Sequence, residues 1–345
     1  MLERLGQTVR TGDNLVHAGE EMGATQLPRS GATLAGRILR VLLPHPIFQA
    51  FRTAVISVNR SRPTSTSKIT RQSALSRWFR HFVLRKKPRL YHFEIHIADH
   101  CNLSCKNCSH FSSISPRHLV PIEQFSADIH AMSDFFPDIH QVYLMGGEPL
   151  LHPDIERFVA MARDLLPSST EISLLTNGIL LTKMPDSFWI RLHETDTILY
   201  ISRYPIDVDM AQIERKAAQF GVRLDPTPLL TQFFVLPLDL SAGQSAYDSF
   251  HLCEGYNVCP IIRNGRLYHC GTIAYADCFA RYFELMDFAP STADYFDLAV
   301  PKTLANAWRA LRFLLTPPQF CAHCDFSRFR FEPWERSKRE LAEWL

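Results

Sequence analysis

No apolar run in this chain of 345 residues approaches the roughly 18 that a membrane-spanning helix needs, which argues against a helical span. The N-terminus also lacks a short apolar stretch ending in a small-residue cleavage site, so no secretory signal is visible. Cysteine is missing before residue 101, and the whole chain holds nine. Without a secretory signal these thiols are expected in a reducing cytosol, where metal ligation is favoured over a disulfide framework. Acidic side chains are absent between Arg60 and Arg89, a stretch that carries ten basic ones.

That stretch belongs to a basic extension on a mildly acidic body. Residues 1–90 carry 16 Lys/Arg against 4 Asp/Glu, whereas the remainder carries 21 against 31. The extension is drawn at 1–88, with Gly, Ser, Thr and Pro frequent up to about Ser67. From Ser73 to Leu84 the apolar residues Leu75, Trp78, Phe79, Phe82 and Val83 recur at helical spacing, with Arg77, Arg80, Arg85 and Lys86 between and after them. A basic amphipathic helix of this kind is expected to dock on the body of the chain. Contact with a membrane surface through residues 60–89 is the next reading, and contact with nucleic acid the least favoured.

From residue 90 short apolar strands alternate with helical periods. The pattern predicts strands over 91–98, 141–145, 171–175, 196–202 and 222–225, and a less regular one near 232–238. Helices are predicted near 121–135, 153–165, 185–194 and 208–220. Such alternation implies parallel βα units in an α/β fold, too few for a closed eight-unit barrel but enough for an open, partial (β/α)6 barrel of the TIM type. In the first strand Phe93, Ile95 and Ile97 alternate with Glu94, His96 and Ala98. The apolar set should face the helices, which turns Glu94 and His96 into the barrel.

Every residue group with evident chemistry follows a strand, on the rim where the active sites of parallel barrels form. Cys101, Cys105 and Cys108 follow the first at C-x3-C-x2-C spacing. Three soft thiolates on one short loop can converge on one inorganic centre and leave a coordination position open. A structural zinc completed by His100 or His110 is the plainer alternative. Gly146-Gly147-Glu148-Pro149 follows the second strand, Thr176-Asn177-Gly178 the third, and Ser202-Arg203 closes the fourth.

Together the cysteine triplet and Gly146-Gly147-Glu148-Pro149 resemble the radical S-adenosylmethionine (radical SAM) enzymes over roughly residues 90–240. The resemblance implies a 4Fe–4S cluster held by Cys101, Cys105 and Cys108, with S-adenosylmethionine on the fourth iron. It implies reductive cleavage of that cofactor to a 5′-deoxyadenosyl radical, which abstracts hydrogen from a substrate, and a flavodoxin or ferredoxin as reductant. Gly146, Gly147, Glu148 and Pro149 are then cofactor-binding, with Glu148 accepting from the ligand's ammonium group. Asn177, Ser202 and Arg203 are expected to approach the same ligand. Relatives usually carry an aromatic residue just before the third cysteine. Here that position is Asn107, with Phe111 as the nearest substitute.

The six remaining cysteines are C-terminal: Cys253, Cys259, Cys270, Cys278, Cys321 and Cys324. Asn264-Gly265 reads as a hairpin turn between Ile261-Ile262 and Leu267-Tyr268, and a helix near Thr303–Leu315 precedes the C-x2-C of Cys321 and Cys324. The set resembles the auxiliary-cluster extension (twitch or SPASM class) of the same enzymes. Cys253, Cys270, Cys321 and Cys324 would close a second 4Fe–4S site, with Cys259 as the alternative to Cys253. Four-cysteine zinc is the other option, and Cys278 is expected to be free of metal.

The reading is therefore an extension over 1–88, a radical SAM core over 89–245, an auxiliary-cluster domain over 246–330 and a C-terminal helix over 331–345. The substrate class is a small molecule, a saccharide or a peptide. The expected location is cytoplasmic, with a peripheral position at the inner membrane surface as the alternative. The rival function is a non-catalytic metal-binding scaffold that recruits a partner or membrane through the basic arm.

Overall fold

Strand β1 (Arg89–Ala98) is the hub of the fold. It pairs in parallel with β2 (Asp138–Gly146), which pairs with β3 (Glu171–Thr176), then β4 (Ile198–Ile201), then the short β5 (Leu224–Pro226). Helices Ile122–Phe135, Ile155–Leu165, Asp186–Glu194 and Met210–Phe220 fill the connections. The structure is a computed structural model and describes residues 69–253, 259–285 and 288–345. Strands of like direction in the order 5-4-3-2-1, the first four in sequence each followed by a helix, make the α/β partial barrel that the sequence pattern implies.

Register decides which side chains face which way. Phe93 lies opposite Val142 and Ile95 opposite Leu144, while Leu144 continues to Leu174 and Leu199. All of these are buried against the helices, where Phe125, Ile129, Met132 and Phe135 form one helical stripe. Burying each such side chain stabilises the fold by about 1.5–3 kcal/mol. The other face of the same strands is polar: Glu94 lies opposite Tyr143, and Tyr143 opposite Ser173. Glu94 and His96 thus stand on the face turned away from the helix-packed core, as their alternation requires.

The sixth parallel strand is not where the pattern puts it. Residues 232–235 form β6, which leaves the main sheet and pairs antiparallel with β10 (Arg330–Pro333). Pro226 and Pro228 remove backbone donors just where a strand would have to continue beyond β5. Instead β7 (Ile261–Arg263) adds in parallel on the free side of β1. It turns through Asn264 and Gly265, both with positive φ, into β8 (Arg266–Tyr268), and β9 (Phe296–Asp297) completes the eight-stranded sheet. The cysteine-rich half accordingly shares a sheet with the barrel.

Residues 69–88, which the expected extension includes, pack against the strands that follow. Ile69 is fully buried, its carbonyl accepts from Tyr91 N–H at 2.7 Å, and the helix Ala74–Trp78 runs on as a π-turn over Phe79–Val83. This segment docks through Arg80 on Asp138 at 3.4 Å and through His81, which stacks on Trp308. Phe82, Val83 and Leu84 remain exposed. The expected extension upstream of residue 69 lies outside the described residues. At the other end, 331–345 is not a helix. Pro333 interrupts it, its first residues complete β10, and only a 3-10 turn forms at Leu341–Trp344. Among the described residues no helix is long and apolar enough to cross a membrane.

Candidate functional site

The loop of Cys101, Cys105 and Cys108 leaves the end of β1 and is gripped by the turn after β2. Gly147 N–H donates to Ala98 O at 2.8 Å and Glu148 N–H to His100 O at 3.0 Å. A Cβ on Gly147 would lie 2.2 Å from His100 O, so only glycine permits this approach. Glu148 is fully buried and its carboxylate accepts from Thr176 Oγ1 at 2.7 Å, Asn177 N at 2.9 Å and Leu150 N at 3.1 Å. Burial raises its pKa to about 7 against the pull of those donors. Glu148 therefore ties the second rim turn to the third, with most of its acceptor capacity already used.

The other rim residues divide. Asn177 donates from Nδ2 to Asn102 Oδ1 at 2.7 Å and lies 3.6 Å from Cys101 Sγ, so it belongs to the thiol loop. Pro149 starts the 3-10 turn Pro149–Leu151 beneath it. Ser202 and Arg203 are half-buried at the end of β4 and fix the rim by backbone bonds, from Ser202 N–H to Thr176 O and from Arg203 N–H to Thr227 Oγ1.

Each thiol has its own neighbours. Burial and the nearby Glu148 push Cys101 well above its ordinary value. Cys105 is pushed up to about 12 by burial, opposed by the Trp334 indole N–H, which donates to its sulfur at 3.2 Å. Burial would raise Cys108 too, but a hydrogen bond and charge from His110 outweigh it and leave that thiol below its ordinary value. His110 Nε2 in turn lies 3.7 Å from Glu94 Oε2. Tyr204 is driven up by burial and by the three thiols it faces. A bound cation would reverse this logic, since coordination removes the thiol proton outright. The donor set of three soft sulfurs on one loop fits an iron–sulfur centre.

Sequence reasoning did not find Trp334 or Tyr204. Trp334 lies 229 positions from Cys105, and no local spacing could join them. Phe111 is no substitute for an aromatic at position 107: it is buried against Phe279 and Trp344. His96 is buried beside Tyr275, and neither ring nitrogen has a hydrogen-bond partner among the described residues.

The second thiol set surrounds a cavity lined by Cys253, Cys270, Cys321 and Cys324 together with Leu236, Phe250, Ile273 and Phe320. Cys253 ends the helix Ala246–Cys253, Cys270 precedes the short helix Gly271–Ala274, and Cys321 sits in the turn Gln319–His323. Burial raises Cys270 to about 11 and drives Cys321 and Cys324 higher, with the other thiols adding to the effect. Cys259 is not among the cavity's lining residues and acts on Tyr143. Cys278 is buried in a different core, 3.5 Å from Arg263 and from Arg281. Among the described residues no three His, Cys, Asp or Glu groups are placed around a single-ion position.

Residues 95–219 match the family model described as Radical SAM superfamily. The chain is 32% identical over 96 residues to the GTP 3′,8-cyclase of Acidothermus cellulolyticus, covering 26% of each. It is 27% identical over 160 residues to the probable GTP 3′,8-cyclase of Methanococcus maripaludis, covering 44% of this chain and 51% of that one. The chain thus spans about a quarter to a half of the curated relatives it matches. Among solved structures, BtrN in complex with AdoMet and 2-DOIA aligns at 13% identity and a TM-score of 0.46, over 70% of this chain and 94% of that one. Streptococcus suis SuiB bound to S-adenosylmethionine aligns at 17% identity and 0.35, over 64% and 52%.

Proposed function

We propose that this chain, whose residues 95–219 match the Radical SAM superfamily model, is an enzyme of that superfamily that cleaves S-adenosylmethionine at Cys101, Cys105 and Cys108 to oxidise or otherwise modify a small polar substrate. The observation that carries the reading is the placement of those thiols on one loop at the C-terminal rim of β1, locked by the Gly147 and Glu148 turn. When bound there, a 4Fe–4S cluster and its cofactor supply one low-potential electron and an organic radical that takes hydrogen from the substrate.

The chain's own residues do the rest. Cys101, Cys105 and Cys108 hold iron, while Glu148 keeps the second and third rim turns at fixed separation from them. Gly146, Gly147, Pro149, Asn177, Ser202 and Arg203 form the rim on which the cofactor would lie. The polar face of the barrel supports a small polar substrate: Glu94, His96, Gln141 and Tyr143 replace the apolar lining that a greasy ligand would need. Cys253, Cys270, Cys321 and Cys324 hold the auxiliary cluster. A mononuclear zinc would need four sulfurs about 2.3 Å from one point. Peptide substrates and contact of Phe82, Val83 and Leu84 with a membrane surface remain readings of lower rank.

Anaerobic reconstitution tests the proposal. The expected result is about seven to eight iron atoms per chain, as two 4Fe–4S sites require, and release of 5′-deoxyadenosine on reduction with S-adenosylmethionine. A colourless chain that holds only zinc and releases nothing would be the metal-binding scaffold instead.

A further inference from the structure

The last residues of the chain lie across the first thiol loop, and the proposed activity gives them no task. Lys106 N–H donates to Glu335 O at 3.0 Å and Ser337 N–H to Ser104 O at 2.9 Å. Lys106 Nζ sits 3.2 Å from Glu332 and 3.3 Å from Glu335. Trp344 Nε1 donates to the carbonyl of Cys108 at 3.2 Å. These contacts hold residues 332–344 along the loop from Ser104 to Cys108.

Between the anchors, the indole N–H of Trp334 donates to Cys105 Sγ at 3.2 Å, and its ring packs against Tyr204 with centroids 5.8 Å apart. An indole nitrogen can only donate, so the bond has one direction whatever the state of the sulfur. Donation to sulfur favours the more electron-rich form of a thiolate-bound centre. The same indole covers one side of Cys105, which is itself buried.

We propose that residues 330–345 form a strap that completes the first thiol site, with Trp334 as a positioning residue that fixes the Cys105 sulfur and sets the reduction potential of the centre held there. The proposal rests on the reading of that site as an iron–sulfur centre. The strap begins a few residues after Cys324, so one stretch of chain leaves the second thiol set and returns to the first.

The test uses the full chain, reconstituted with iron and sulfide without oxygen. Iron content is counted, and the electron paramagnetic resonance signal that Cys105→Ala abolishes is followed through a redox titration. Trp334→Phe keeps the ring and removes the donor. It is expected to bind as much iron as the unsubstituted chain, and its first-site signal is expected to shift to more negative potential. An unchanged or more positive potential overturns the proposal. If Cys105→Ala loses neither iron nor any signal, the iron–sulfur reading itself is wrong, independently of Trp334.

A second signal guards against misfolding of Trp334→Phe. The signal that Cys105→Ala retains, which belongs to the second thiol set, is expected to keep its potential in that variant. If both signals shift together, the effect is not local to Cys105 and the proposal is overturned.

Discussion

Cys101, Cys105 and Cys108 sit on one loop at the rim of the barrel, whereas Cys253, Cys270 and the Cys321–Cys324 pair come from three separate places around an apolar cavity. At the rim each sulfur meets a different polar neighbour: Asn177 near Cys101, Trp334 on Cys105 and His110 on Cys108. In the cavity Phe250, Ile273 and Phe320 close round the thiols, and backbone donors of Thr272 and Ile273 serve Cys270. The contrast separates two tasks. On the proposed reading, three sulfurs among adjustable donors would leave a position for a ligand and allow its electronics to be tuned, while four sulfurs in an apolar shell would satisfy a centre completely and hold it away from water.

The largest expected effect is that of Cys105→Ala. Release of 5′-deoxyadenosine should fall below detection while about four iron atoms remain in the second site. A variant that still released the nucleoside would mean the two sites had been assigned the wrong way round. Cys321→Ala with Cys324→Ala should do the reverse, leaving the rim iron while about four atoms are lost. Its thermal unfolding temperature should drop, because the metal-filled cavity becomes a void among Phe250 and Phe320.

Gly147→Ala and Gly271→Ala sharpen the contrast with smaller effects. A Cβ at 147 meets the backbone of His100, whereas one at 271 meets the His110 ring at 2.1 Å. The first cannot be relieved without moving the thiol loop, so cofactor affinity should fall at least about tenfold in an equilibrium binding measurement, a loss of about 1.4 kcal/mol or more. The second displaces His110, the side chain that joins the two regions, and should change Cys108 alkylation in the metal-free chain more than Cys101 alkylation.

Asp128 links the halves through its bond from Gly265 N–H at 2.8 Å, and burial raises its pKa to about 6. Raised in the folded state, the group binds its proton more tightly there than in the unfolded chain. Its contribution to stability is complete below pH 4 and is lost as pH rises through 6, up to about 3 kcal/mol for a shift of roughly two units. Asp128→Asn should flatten that part of the profile in urea unfolding between pH 4 and 7. Smallest of all, removal of residues 1–64, upstream of the buried Ile69, should leave iron content and nucleoside release unchanged.

Much of the barrel was legible because its signals are local. Alternation through Phe93, Ile95 and Ile97 set the buried face of β1, and Asn264-Gly265 formed its hairpin with both residues at positive φ. The thiol spacing and the turn at Gly146-Gly147 were equally local. What escaped was long-range. Nothing near 232–238 announces that β10 is its partner, and nothing near Trp334 points to Cys105. The part Glu148 plays within the chain was hidden too: its carboxylate accepts from Thr176 and Asn177, a pairing set by the geometry of adjacent strands and invisible in either segment alone.

The route of the tail also fixes an order of events during synthesis. The loop that opens at Cys101 is translated long before Glu335, Trp334 and Trp344, the residues that clasp it at Lys106, Cys105 and Cys108. Until residues 334 and 344 have been made, Cys105 and Cys108 lack these partners. Iron delivered to a shorter nascent chain would find the loop unclasped, so productive maturation belongs after those residues have been synthesised.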